Sequence, residues 1–271
     1  MALSSRQGLQ ALRKLLRTPP AEQKRDLWSA VDLSHTFNSG VSVSVRSLSD
    51  WYVFNEVFAE GGYDPAIDLL VSNESDARPL VLDLGANVGY FAARVVDRLR
   101  ARGASTGADL FLIEGSPTVF RDLESRLGGM AIADFALSAT NALVGPRKGS
   151  GVISEVGFGA RNTMMPANNS GISSLAEMSH QQVEFVDLDA LVGPRRVSLL
   201  KCDIEGSEQS FIETYCSDLL RRTDSAVFEF HHRLCDVPRC LEILAESGLV
   251  VISTTEQEDE TSLALLGRDP G

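Results

Sequence analysis

Three short segments of this 271-residue chain carry side chains whose types and spacing suit chemistry. The first, Asp83-Leu84-Gly85-Ala86-Asn87-Val88-Gly89, closes the apolar run 79–84 (PLVLDL). A continuous apolar run fits a strand buried on both faces, and the turn from such a strand into a helix is where open α/β sheets bind ligands. Gly85 and Gly89 lack side chains and would let a ligand approach the backbone closely. Asp83 can accept hydrogen bonds or offset a positive charge. The spacing is not G-x-G-x-x-G, whose second glycine makes room for a pyrophosphate. The second segment is Glu114, directly after the apolar run 109–113 (DLFLI). An acid there is placed to accept hydrogen bonds from vicinal ribose hydroxyls, which signals an adenosine-type cofactor without deciding which one. The third runs from Leu199 to Glu208 (LLKCDIEGSE). Asp203 and Glu205 stand two residues apart at a strand's carboxyl end, where they can act as base, substrate anchor or metal ligand. Favourable charge at a helix start accounts for Glu208 but not for Asp203, which still belongs to the strand.

Elements to position these segments follow from periodicity. Leu9, Leu12, Leu15 and Leu16 predict a helix over 4–17 that stops before Pro19-Pro20, and a second helix follows at about 21–31. Residues 41–46 alternate as a strand does, and Ser49-Asp50 can cap a helix that Gly61-Gly62 ends. Residues 71–78 read as a linker. Beyond it, strands are expected at 79–84, 109–113, 130–137, 182–187, 197–202, 226–230, 249–254 and 261–266, the last closing the sheet antiparallel. Helices are expected at about 89–102, from Pro117 to Gly128-Gly129, at 206–221 and at 237–247. The polar stretch 140–180 interrupts the rhythm, and a loop of that length is usually functional or disordered.

Composition narrows the class. A 44% hydrophobic content supports a sizeable core, and a net charge of −12 argues against a general nucleic-acid-binding face. No apolar run is long enough to span a bilayer, and Met1 to Arg17 lacks the features of a secretory signal. Cys202, Cys216, Cys235 and Cys240 form no C-x-x-C pair and read as free thiols, which points to the cytoplasm.

Taken together, the three segments resemble the FkbM-type methyltransferase family, Rossmann-like enzymes that use S-adenosylmethionine (SAM). That family's D-x-G-A-N-x-G, E-P-x-P and L-K-x-D-x-E-G-x-E patterns are matched at 83–89, 114–117 and 200–208, with Gly115 in place of a proline. Ala136-Leu137-Ser138, Val186-Asp187-Leu188-Asp189-Ala190-Leu191, Phe228-Glu229-Phe230-His231 and the lead-in at Ser49-Asp50-Trp51 extend the similarity over roughly 41–255. The stretch between Asp83 and Glu114 is longer than the family pattern, and 140–180 matches only loosely.

The resemblance implies an α/β, Rossmann-like methyltransferase sheet, mostly parallel with a closing antiparallel strand and helices on both faces. Residues 1–75 would be an N-terminal helical extension and lead-in, and 76–271 the catalytic domain with a substrate-loop insertion at 140–180. Asp83, Gly85, Asn87, Gly89, Glu114, Ala136 and Leu137 would bind SAM. The reaction implied is O-methylation of a hydroxyl on a sugar, natural product or other small molecule. Asp203, Glu205 and His231 are the candidates for the base a neutral alcohol requires, His231 because imidazole titrates near neutrality. Asp203, Glu229 and His231 offer oxygen and imidazole ligands for a divalent ion, but the spacing demands none, so no metal is expected. The leucine stripe near the N-terminus is expected to act as a lid or a homodimer contact. Two other classes stay open, an NAD-dependent oxidoreductase on a Rossmann fold and a non-catalytic cofactor-binding member of the family.

Overall fold

The computed structural model describes residues 33–72, 78–103, 107–130, 133–155, 179–257 and 260–268. The helices expected over 4–17 and 21–31, and the lid or dimer contact expected of them, fall outside these residues. So does the middle of the stretch 140–180.

The described chain begins with an antiparallel hairpin, β1 (Leu33–Thr36) and β2 (Ser42–Val45). Ser47, two residues earlier than expected, caps α1 (Leu48–Phe54). Its hydroxyl accepts from the Asp50 amide, and the Asp50 carboxylate accepts from the Arg46 amide. The first bond satisfies a donor that the helix start leaves open, and the second fixes the entry of the chain. The helix widens into a π-helical stretch, Asn55–Glu60, which Gly61 ends in the left-handed region at φ 68°. Such widenings are frequent at functional sites. Next comes α2 (Asp64–Ser72), pinned by a two-pronged bond from Arg94 to Asp64.

The main sheet then unrolls as β3 (Leu80–Leu84), α3 (Tyr90–Ala101), β4 (Asp109–Glu114), α4 (Pro117–Met130) and β5 (Ala136–Asn141). A two-stranded antiparallel ribbon, β6 (Ser150–Glu155) and β7 (Ser179–Glu184), stands apart from it. The sheet resumes with α5 (Leu188–Val192), β8 (Val197–Cys202), α6 (Glu208–Tyr215), β9 (Thr223–His231), α7 (Val237–Glu246), β10 (Leu249–Glu256) and β11 (Thr261–Arg268). Its order is β10-β11-β9-β8-β3-β4-β5. The pairs among β5, β4, β3, β8 and β9 are parallel, and β11 runs antiparallel to both of its neighbours. This is the expected Rossmann-like α/β sheet, mostly parallel with one antiparallel strand. The antiparallel strand lies one place in from the edge, with β10 outside it.

The strand period of two sorts side chains between two cores. Leu80, Leu82, Leu84, Leu200, Phe228 and Phe230 pack with α6 and α7. Val81, Leu110, Leu112, Leu199 and Val227 pack with α3, α4 and the lead-in residues Val57, Tyr63 and Ile67. The same period places Asp83, Lys201 and Glu229 on the second face, so one row of charge on three neighbouring strands lies beneath the lead-in. Among the described residues no helix is long and apolar enough to cross a membrane.

Two expectations need correction. Residues 182–187 do not rejoin the sheet: 182–184 end β7, which pairs with β6, and Phe185 makes an isolated bridge with Leu143. Nor does a strand cover 130–137, because α4 continues through Gly128-Gly129 to Met130. Gly129 suits that helix because a β-carbon there would lie 3.0 Å from the Ser42 carbonyl of the packed hairpin. Ala136 and Leu137 therefore open β5, opposite Asp109 and Leu110, at the amino edge of the sheet. Ligands bind at the carboxyl edge, so these two residues are not placed to touch a cofactor. Asn141, Ala142 and Leu143 occupy that edge instead.

Candidate functional site

Strands β3 and β8 are neighbours, yet the chain builds β4 and β5 on one side before returning to build β8 and β9 on the other. The carboxyl ends of β3 and β8 thus bracket a topological switch point, where open α/β sheets form their ligand crevice. All three chemistry-bearing segments end there.

Gly85 and Gly89 take left-handed backbone, φ 75° and 90°. A β-carbon on Gly85 would fall 1.7 Å from the Asp203 carbonyl oxygen, and one on Gly89 would lie 2.7 Å from Met130 and 2.8 Å from Leu123. Packing of loop on loop, and of α3 against α4, therefore demands these glycines before any ligand does. Asn87 is also left-handed, φ 49°, a conformation that asparagine tolerates. Its amide donates to Glu114 Oε2 and the Ser116 amide donates to Oε1, both at 2.8 Å. Glu114 thereby ties the glycine loop to the end of β4. Burial pushes its pKa up to about 7, partly opposed by those two amides. With Gly115, Val119, Leu143 and Ile153, it lines a cavity of about 80 Å³.

Asp83 lies beneath the loop and lines neither cavity of the cleft. It is fully buried, and neither carboxylate oxygen has a hydrogen bond. Lys201, its partner in the strand register, stands 3.5 Å away. Burial pushes the Asp83 pKa up to about 6, with Lys201 opposing. The Lys201 ammonium donates to the Gly85 carbonyl at 2.7 Å and lies 3.3 Å from Asp203 Oδ2. Burial alone would pull its pKa down, but Asp203, Asp83 and Glu229 outweigh that and raise it. Lys201 therefore stays charged. The sequence showed Lys201 only as part of a motif, yet it joins the glycine loop to the acids of β8.

A second cavity, about 210 Å³, shares Gly85, Asn87, Asp203 and Glu205 with the first and extends under the lead-in to Glu56, Tyr63 and Glu229. The Tyr63 hydroxyl donates to Glu229 Oε2 at 3.4 Å. Burial, then Asp203, raises the pKa of Glu56; burial, then Asp203 and Glu56, raises that of Glu229. Motif reading missed Glu56 and Tyr63. The alternation that sets Glu229 on the same face as Lys201 was the available signal for a polar site under the lead-in.

His231 is wedged between two acids. Nδ1 lies 3.0 Å from Glu208 Oε1 and Nε2 lies 3.4 Å from Glu205 Oε2. Burial would lower its pKa, but Glu205 and Glu208 hold it up at about 11. In this arrangement the ring is already protonated at neutral pH and cannot accept a further proton, which corrects the expectation of a near-neutral base. Asp203 and Glu205 both border the two cavities, and Glu205 takes the left-handed φ of 52°. The structure thus brings together Gly85, Asn87, Glu114, Asp203 and Glu205 on the cleft, with Asp83, Gly89 and His231 behind it.

No protein-family model matches the chain, and no curated protein matches it in sequence. Solved structures similar to it include magnesium protoporphyrin IX methyltransferase from Synechocystis PCC 6803, at 11% identity over 99% of both chains with a TM-score of 0.47. Others are the METTL16 methyltransferase domain, at 11% identity over 87% of this chain and 86% of that one, TM-score 0.44, and precorrin-6y C5,15-methyltransferase from Geobacter metallireducens, at 9% over 76% and 88%, TM-score 0.43. Likeness of this degree bears on neither substrate nor mechanism.

Proposed function

We propose that the chain is a SAM-dependent methyltransferase that methylates a hydroxyl on a sugar or natural-product acceptor. The observation that carries this reading is the pair of cavities meeting at Gly85, Asn87, Asp203 and Glu205 on the switch point, one ending at Glu114 and the other at a row of acids. The donor set fits the cofactor. Each Glu114 oxygen takes one amide and keeps acceptor capacity for a ribose hydroxyl. Val119, Leu143 and Ile153 supply apolar walls for a base. The acidic surroundings of Gly85 and Asn87 suit an ammonium and a sulfonium.

When bound, SAM supplies an electrophilic methyl group on a good leaving centre. The protein's part is to hold the acceptor hydroxyl in line at the junction, where orientation supplies much of the rate, and to take its proton. Asp203 is the residue for that task. It borders both cavities, and the Lys201 ammonium stands 3.3 Å from its Oδ2. Glu205 is held by His231, which positions it. The lead-in closes the acceptor side with Tyr52, Glu56 and Tyr63. A dinucleotide fits less well, because the side-chain-free space at Gly85 is taken by the Asp203 carbonyl and not left open to a pyrophosphate. Calorimetric titration of the full chain tests the reading. S-adenosylhomocysteine should bind and NAD should not; NAD binding the tighter of the two would overturn it.

A further inference from the structure

The clustering of Asp203, Glu205 and His231 at the carboxyl ends of β8 and β9 is not explained by cofactor binding. One ligand-type atom from each lies within 4.8 Å of the others, with His231 Nε2 and Glu205 Oε2 3.4 Å apart. Ligands on one small cation, each about 2.0–2.2 Å from it, stand at comparable separations. We propose that these three residues form a divalent-cation site on the acceptor side of the cleft.

The surroundings of His231 separate this from a chance gathering of acids. A metal-bound imidazole almost always gives its other N–H to a carboxylate, which fixes the ring and its tautomer. Glu208 fills that place for His231 Nδ1, at 3.0 Å. It is fully buried, and its Oε1 is itself held by the Gly206 amide at 3.0 Å. Nε2 is thereby aimed at Glu205. Two carboxylates and a neutral imidazole balance a dication. On coordination the proton on Nε2 leaves to solvent. The ligands also lie on one side, with Asp203 and Glu205 bordering both cavities, so open coordination positions face the space assigned to the acceptor. Sites of that kind, closed by protein on one side and open on the other, are catalytic in type. Mixed oxygen and imidazole ligands favour Mn²⁺ or Zn²⁺ over ions that prefer all-oxygen or thiolate sets. If methyl transfer to a hydroxyl is the reaction, an ion here would bind the acceptor oxygen and ease its deprotonation. That use rests on the proposed function, whereas the binding does not.

The test uses the full chain, stripped with chelator and titrated with Mn²⁺ and then with Zn²⁺ in the absence of any cofactor. One equivalent should bind. His231→Gln and Asp203→Asn should each weaken binding at least tenfold, and Glu208→Gln about ten- to a hundredfold. Glu242→Gln, on the exposed side of α7, should leave it unchanged. Circular dichroism shows which variants fold. Pulsed electron paramagnetic resonance of Mn²⁺ on the unaltered protein gives a readout that needs no variant, and a histidine-nitrogen coupling is expected. Absence of stoichiometric binding, absence of that coupling, or full affinity in folded His231→Gln would each overturn the site. Because no cofactor is present, such a failure leaves the methyltransferase reading standing.

Discussion

Replacing Lys201 with methionine keeps the length and packing of the stem but deletes the charge beneath the glycine loop. The ammonium serves three oxygens: the Gly85 carbonyl at 2.7 Å, Asp203 at 3.3 Å and Asp83 at 3.5 Å. Its loss leaves Asp83 fully buried, with neither oxygen hydrogen-bonded. Removing one partner of a buried ion pair costs about 3–5 kcal/mol. Even with Lys201 present, Asp83 titrates at about 6 and not at 3.8, a burden on its ionised form of about 3 kcal/mol. An acid whose pKa is raised on folding holds its proton longer in the native state than in the unfolded one. Stability therefore falls as pH rises from about 4 to about 6. In Lys201→Met the Asp83 pKa rises further, so the fall continues to higher pH. Near pH 5 Asp83 is protonated in both proteins, and the deficit should be the lost charged hydrogen bonds alone, about 1.5–3 kcal/mol. Near pH 7.5 it should grow to about 3–5 kcal/mol. Urea denaturation at the two pH values measures both, and adding Asp83→Asn should recover most of the difference. Equal deficits at the two pH values, or no recovery in the double variant, would refute the argument.

Three further outcomes are expected. Glu114→Gln should weaken S-adenosylhomocysteine binding by about 1.5–3 kcal/mol, roughly ten- to a hundredfold. Because ribose hydroxyls favour the carboxylate, affinity of the unaltered protein should rise with pH through about 7 and level off above it, a dependence the variant should lack; calorimetry with an unchanged variant profile would sink the ribose assignment. Asp203→Asn should slow turnover of an identified acceptor about a hundred- to ten-thousandfold with little change in S-adenosylhomocysteine affinity, and equal losses in both would make Asp203 a cofactor or fold residue. Gly85→Ala places a methyl group 1.7 Å from a backbone oxygen at positive φ, so a loss above about 4 kcal/mol is expected in denaturant unfolding; a loss under about 1 kcal/mol would show that the two loops can separate.

The parts of the fold legible in the sequence were those governed by local signals. The apolar runs of β3, β4 and β8 and the glycine turn after β3 needed no knowledge of partners. The Glu114 position followed from the same turn-and-strand logic. What stayed hidden depended on contacts across the chain. Helix α4 runs through Gly128-Gly129, where the close Ser42 backbone leaves little room for a side chain at Gly129, and β5 starts only at Ala136, with Ala136 and Leu137 away from the cleft. The charge state of His231 depends on Glu205 and Glu208, 26 and 23 positions earlier in the chain. Glu56 and Tyr63 enter the cleft from a lead-in that bears no motif, and only the alternating face beneath them, with Asp83, Lys201 and Glu229, pointed to a polar site there.

The contact between Gly85 and the Asp203 carbonyl has a mechanical consequence. The loop after β3 and the loop after β8 touch with no room for a methyl group between them, and the Lys201 ammonium rivets the Gly85 carbonyl to the second loop. The two banks of the crevice are one body and cannot gape apart. Admission and discharge of ligands then fall to the roof, where Tyr52 stands 64% exposed on α1 and Glu56 hangs from the π-helical turn. A roof that alone governs traffic can be rebuilt for a new guest while the floor, with its glycine turn and ion pair, stays as it is.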